Sequence, residues 1–156
     1  MQAGMLRLAA RRSLSTISGV STAGLKASLA GYWTNKLGSH MRITVNDSGF
    51  ITGRYKSKVS ASGEVARGDI VGYQQDITQP TFGFVVKWAT APADSVTVWA
   101  GQYYNGGGKE QLKTMWLLRE HDPAANDNWD ATLVGMDVFT RAVPAECEDL
   151  DDRSEL

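Results

Sequence analysis

A chain of 156 residues with 42% hydrophobic and 21% charged side chains is long enough for one domain with a buried core. Its single cysteine excludes an internal disulfide framework, and that cysteine with His40 and His121 falls short of a metal-ligand set, so no metal or other cofactor is expected. The formal charge of −1 is unevenly spread, but residues 31–141 hold eleven side chains of each sign without a basic stripe, which argues against nucleic-acid binding, and no stretch is long and apolar enough to span a membrane as a helix.

Residues 1–28 contain no acid. Arg7, Arg11 and Arg12 alternate there with Leu6, Ala9, Ala10 and Leu14 near helical spacing. That pattern predicts an organelle-type transit peptide or a disordered leader. A secretory signal would carry an uninterrupted apolar run, whereas the stretch from Leu14 to Ala30 is diluted by Ser, Thr and Gly. At the other end, residues 142–156 carry six acids and one arginine, which predicts a disordered tail with Cys147 as a spare surface thiol.

Between these ends lie eight β-like segments: Leu29–Lys36, Ser39–Val45, Phe50–Val59, Asp69–Gln75, Thr81–Trp88, Ser95–Tyr103, Glu110–Arg119 and Asn128–Arg141. Asn46-Asp47-Ser48-Gly49 and Asn105-Gly106-Gly107-Gly108 supply tight reversals, because Gly and Asn tolerate positive φ. Residues 61–68, 89–94 and 121–127 read as loops. Even spacing and short connections predict an all-β fold, an eight-stranded antiparallel up-and-down β-barrel over residues 29–141.

Alternation along strands sorts the side chains onto two faces. One face gathers Trp33 and Asn35, Tyr55 and Ser57, Phe82, Phe84, Val86 and Trp88, then Ser95, Thr97 and Trp99. Leu112, Thr114, Trp116, Leu118, Gly135 and Asp137 complete it. The opposite face of the last two segments is apolar too: Met115, Leu117, Val134, Met136 and Val138. Strands apolar on both faces are buried on both, here against an interior and another subunit. A tryptophan on a strand is more often core than ligand wall, and Tyr55, Ser95 and Thr97 suit ordinary strand positions. Asp137 is costly inside a barrel without a partner. Polar groups gathered on an aromatic face suggest a small ligand, apolar in body and rich in hydrogen-bond sites.

Longer motifs sharpen this. They are Gly31-Tyr32-Trp33-Thr34-Asn35 with Leu37-Gly38-Ser39, Gly53-Arg54-Tyr55, Gln79-Pro80-Thr81-Phe82-Gly83-Phe84 with Trp88, Trp99-Ala100-Gly101-Gln102, Lys113-Thr114-Met115-Trp116-Leu117-Leu118, and the run from Trp129 to Arg141. Through them residues 29–141 resemble the avidin and streptavidin family of biotin-binding proteins.

The resemblance implies a barrel whose interior holds biotin. Asn35, Ser39 and Tyr55 would donate to the ureido oxygen, as an oxyanion hole does. Asp137, an acid as in streptavidin where some members carry Asn, would accept from one ureido N–H, and Ser57 from the other. Thr97 would meet the thiophene sulfur. Ser95 and the loop residues Ser60, Ala61 and Ser62 would hold the valerate carboxylate. Trp88, Trp99, Trp116 and Leu118 would wall the rings, and Trp129 would serve a neighbouring subunit's site. A homotetramer is implied, with a dimer as the alternative, and a secreted protein, against the organelle reading of the leader. The bridging cysteines of the egg-white type are absent, and residues 89–94 match poorly. Asn46-Asp47-Ser48 is a glycosylation sequon.

Two other classes compete. A lipocalin-like carrier of an apolar ligand would need a mostly apolar interior. An enzyme with Asp137 and Tyr55 as an acid–base pair would need a nucleophile beside a base, and His40 falls on the face opposite Ser39 while His121 lies in a loop. Binding without catalysis is therefore the expectation.

Overall fold

The computed structural model describes residues 27–58, 63–89, 94–124, 128–147 and 150. Eight strands run β1 (Gly31–Asn35), β2 (His40–Val45), β3 (Phe50–Ser57), β4 (Ala66–Gln74), β5 (Thr81–Trp88), β6 (Ser95–Gly106), β7 (Lys109–Glu120) and β8 (Thr132–Arg141). Each pairs antiparallel with the next, and β8 returns to β1, so the sheet closes in sequence order with no free edge. This is the all-β up-and-down barrel that alternation and turn spacing predict.

Several strand ends shift from the sequence expectation, and three of the shifts have a clear local reason. β4 starts at Ala66, three residues before Asp69, inside the segment expected to be a loop. Gly68 is a strand residue there: a Cβ would lie 2.6 Å from the Lys87 carbonyl oxygen. The β6–β7 hairpin turns on Gly107 and Gly108 alone, with φ of 62° and 79°, the two left-handed residues of a tight hairpin. β8 begins at Thr132, not Asn128. The Asn128 carbonyl accepts from the Thr132 hydroxyl at 2.8 Å and from Arg119, which holds residues 128–131 as a turn.

The inward set from alternation is the core. Trp33, Met41, Ile43, Ile51, Tyr55, Ile70, Phe84, Val86, Trp99, Leu112 and Phe139 are all buried. One end of the barrel is plugged. Leu29 is buried below β1, and its carbonyl accepts from the Trp33 indole at 2.8 Å. Arg141 stacks 4.0 Å from the Trp33 ring centroid and pairs with both oxygens of Glu110, at 2.8 and 3.0 Å. The Tyr103 hydroxyl donates to the same carboxylate at 2.7 Å. A planar guanidinium can stack and pair at once, whereas an ammonium cannot. Arg141→Lys should therefore destabilise the fold by roughly 1–3 kcal/mol, a thermal midpoint several degrees lower. An unchanged midpoint would remove this plug from the stability argument.

Beyond β8, the Ala142 amide donates to the Tyr32 carbonyl at 3.0 Å, and Pro144–Glu146 form one 3-10 turn. Cys147 is 0% exposed, with its sulfur 3.3 Å from His40 Nδ1. The thiol is thus not a surface group, because the chain turns back onto β2. Of the leader, residues 1–28, residues 1–26 lie outside the described residues.

The expected outer apolar face is present. Met115, Leu117, Val134, Met136 and Val138 are exposed in the single chain, Met136 at 76%. The face is wider than the sequence reading made it. Register places Val85, Val98, Leu117 and Val134 in one row across β5–β8.

Candidate ligand-binding site

The polar end of the site is built where β1, β3 and β8 approach one another. Asn35 ends β1. Its side-chain oxygen accepts from the Leu37 and Ser39 amides at 3.1 and 2.9 Å, which shapes the β1–β2 turn. That leaves Nδ2 as the group facing inward, where it donates to Asp137 Oδ1 at 3.1 Å. The same turn buries Ser39, whose hydroxyl lies 3.5 Å from that of Ser57. Tyr55 is buried on β3 and hydrogen-bonded to Ser39. Asn35, Ser39, Tyr55, Ser57 and Asp137 therefore form one cluster.

Its electrostatics set the role of each group. Burial, reinforced by the nearby Asp137 charge, pushes the Tyr55 hydroxyl far above its ordinary pKa, and the Ser39 hydrogen bond opposes this only in part. Tyr55 is a neutral donor at any physiological pH and cannot act as a base. Burial also raises the Asp137 carboxyl, while hydrogen bonds from Asn35 and Trp116 pull it down. The Thr114 hydroxyl donates to the Asp137 carbonyl at 3.0 Å and fixes that stretch of β8. The result is an ionisable acceptor held among neutral donors.

The walls are aromatic. Tyr55 stacks on Trp99 at 5.2 Å, and Trp99 on Phe84 at 5.3 Å. Trp88 and Phe139 meet the Tyr55 ring edge-on at 5.5 and 6.2 Å. The Trp88 indole donates to the Thr97 hydroxyl at 2.8 Å. Thr97 thereby accepts from the protein and keeps its own proton to offer a ligand. Ser95 is buried next along β6. Trp116 and Leu118, half-buried on β7, face β8 at Gly135 and Leu133. Gly135 is required there, since a Cβ would enter the Trp116 ring.

The sequence reading thus brings Asn35, Ser39, Tyr55, Ser57, Trp88, Ser95, Thr97, Trp99, Trp116, Leu118 and Asp137 to one interior. Ser60, Ala61 and Ser62 lie outside the described residues. Trp129 is 86% exposed, in the turn before β8, and does not enter its own barrel. Thr114, Gly135, Phe84 and Phe139 were given no role from sequence. Thr114, Gly135 and Phe84 lie on the inward face that alternation defines. Among the described residues no cluster of His, Cys, Asp or Glu could hold a metal ion.

Comparison with known proteins agrees with this architecture. The chain is 48% identical to avidin from Gallus gallus over 122 residues, covering 74% of this chain and 79% of that protein. It is 43% identical to avidin-related protein 4/5 of Gallus gallus over 130 residues, 81% and 85% of the two chains. Among solved structures, Xenavidin superposes with a TM-score of 0.70 at 44% identity, covering 75% of this chain and 99% of its own. A biotin binding protein from chicken gives 0.70 at 43%, covering 76% and 98%. The model of the Avidin family matches residues 23–142, and the chain belongs to that family.

Proposed function

We propose that the protein binds biotin non-covalently and without turnover in the barrel interior. One observation carries the reading: buried Asn35, Ser39 and Tyr55 converge with half-buried Ser57 and Asp137 in one cluster beneath an aromatic wall. A ureido group matches that set. Its oxygen takes the donors Asn35, Ser39 and Tyr55, and its two N–H groups go to Asp137 and Ser57. Donors fixed before the ligand arrives lose little entropy on binding. Thr97 offers its proton to the ring sulfur, Ser95 and the 60–62 loop take the carboxylate, and Trp88, Trp99, Trp116 and Leu118 enclose the rings.

Kinship with avidins and with a chicken biotin binding protein supports the ligand. The polar cluster argues against a lipocalin-like carrier, since an apolar ligand would strand these groups without partners. The exposed row Val85–Val98–Leu117–Val134, with Met115 and Met136, supports assembly through β5–β8 into a tetramer of two dimers. Trp129, outside its own barrel, then reaches a neighbour's site. Family membership favours export over delivery to an organelle.

Titration with biotin, followed by tryptophan fluorescence, tests the ligand. Saturation at one biotin per chain, with no displacement by retinol or fatty acid, is expected. A silent titration, or displacement by the lipophiles, would replace biotin with an apolar ligand. Tyr55→Phe removes one donor to the ureido oxygen and should weaken binding by roughly 1–3 kcal/mol. Equal affinity in calorimetry would take Tyr55 out of the site.

A further inference from the structure

The turn that carries Trp129 is held more tightly than the pairing of β7 with β8 requires. The ladder between these strands ends at Arg119 opposite Thr132, so residues 128–131 lie beyond it. Arg119 nevertheless reaches across that end. Its Nη1 donates to the Asn128 carbonyl at 2.9 Å, to the Asn128 side-chain oxygen, and to the Thr132 hydroxyl at 3.0 Å. The Thr132 hydroxyl donates in turn to the Asn128 carbonyl at 2.8 Å, so its oxygen meets Arg119 as an acceptor. Bonds from a guanidinium are charge-assisted, the stronger kind. After Trp129, the Thr132 amide closes onto the Trp129 carbonyl at 3.1 Å, and the Glu120 amide donates to the carbonyl of buried Ala131 at 2.9 Å. The backbone is therefore tied immediately before and after Trp129, while the indole stays exposed.

The place of Arg119 on the barrel has the same sense. Register sets Val96, Arg119 and Thr132 in one row on the outer face, next to the apolar row that includes Val98, Leu117 and Val134. Arg119 thus stands where that apolar face meets the ligand end of the barrel, the end at which Ser95 begins β6. A side chain that only completed the strand pair would have no need of contacts at residue 128. An indole on a slack turn would lose conformational freedom on covering a ligand, whereas one on a fixed turn has lost most of it beforehand.

We propose, on the reading that Trp129 serves a neighbouring chain's biotin site, that Arg119 is a positioning residue: it fixes the 128–132 turn at the angle from which the indole closes that site. Arg119 acts only through Trp129.

Biotin dissociation rates of the full-length wild type, Arg119→Ala, Trp129→Ala and the double variant test this, at protein concentrations where light scattering finds one assembly size. Trp129→Ala should speed release, and Arg119→Ala should speed it by about tenfold. The double variant should release biotin no faster than Trp129→Ala, because a turn without its indole has nothing to position. A general weakening of the fold would instead multiply the two effects. Thr132→Val is a milder change that removes the bridging hydroxyl. It should raise the rate about threefold in the presence of Trp129 and not in its absence, and it answers the same question if Arg119→Ala fails to fold. Equal acceleration in both backgrounds, or none beside a fast Trp129→Ala, would overturn the role of Arg119. A wild-type rate in Trp129→Ala would overturn the neighbouring-site reading itself, and the positioning with it. Loss of assembly in Arg119→Ala alone would make Arg119 an interface residue instead.

Discussion

Asp137→Ala should cost the largest share of biotin affinity of any single interior change, about 3 kcal/mol or a hundredfold and more. The carboxylate is the one ionised acceptor in the cluster, and its bond to a ureido N–H is charge-assisted. The change also leaves Asn35 Nδ2 and the Trp116 indole without the acceptor they now serve. Stability should change less than affinity, because relief from burying the carboxylate is offset by the donors left unpaired. Burial raises the Asp137 pKa, so the folded state disfavours the charge, and this group's contribution to stability is lost as pH rises through that pKa. Calorimetry and thermal unfolding of the same variant separate the two effects. A loss smaller than that of Tyr55→Phe would contradict the assignment.

The same linkage predicts a pH profile. The ligand's N–H favours the ionised carboxylate, so affinity is full above the Asp137 pKa and falls as pH drops through it. Because burial raises that pKa, the fall should begin in milder acid than an ordinary aspartate would give. Asp137→Asn keeps an acceptor oxygen and should remove this limb of the profile. A profile shared by the wild type and the Asn variant would assign the titration elsewhere.

Trp129→Lys should be the second large effect, and it should strike two properties together. The indole is 86% exposed in its own chain, which is costly for so large an apolar surface unless a neighbour covers it. If it closes a neighbour's site, a lysine there removes an interfacial anchor and places a charge against that site's aromatic wall. A loss of about 2–4 kcal/mol in affinity, with dissociation towards smaller assemblies, is expected. Light scattering and biotin off-rates on the same preparation check it. Full affinity in a variant of unchanged size would confine the site to one chain.

How much of this was legible beforehand depends on which force decided each residue. Alternation decided the barrel. Trp33, Asn35, Tyr55, Phe84, Trp88, Thr97 and Trp99 fall inside because a closed sheet has only two faces, and the motifs pointed to that face as the candidate ligand site. Partners were harder to read. That Asn35 turns its oxygen to the β1–β2 turn and its nitrogen to Asp137 follows from backbone geometry that a motif does not carry. Gly68 looked like a loop residue because a strand glycine admitting the Lys87 carbonyl and a turn glycine are the same letter. Cys147 and Leu150 were hidden by composition. Two apolar residues three apart in an acidic run suggest no core, yet both are buried where the chain returns over β1 to β2.

The central claim is a geometry, and a crystal structure of the biotin complex measures it most directly. The ureido oxygen should lie within hydrogen-bond distance of Asn35 Nδ2 and the Ser39 and Tyr55 hydroxyls, with one ureido nitrogen on Asp137 and Trp129 of a neighbouring chain over the ligand. Biotin bound with its carboxylate in that cluster, or outside the barrel, would contradict the account.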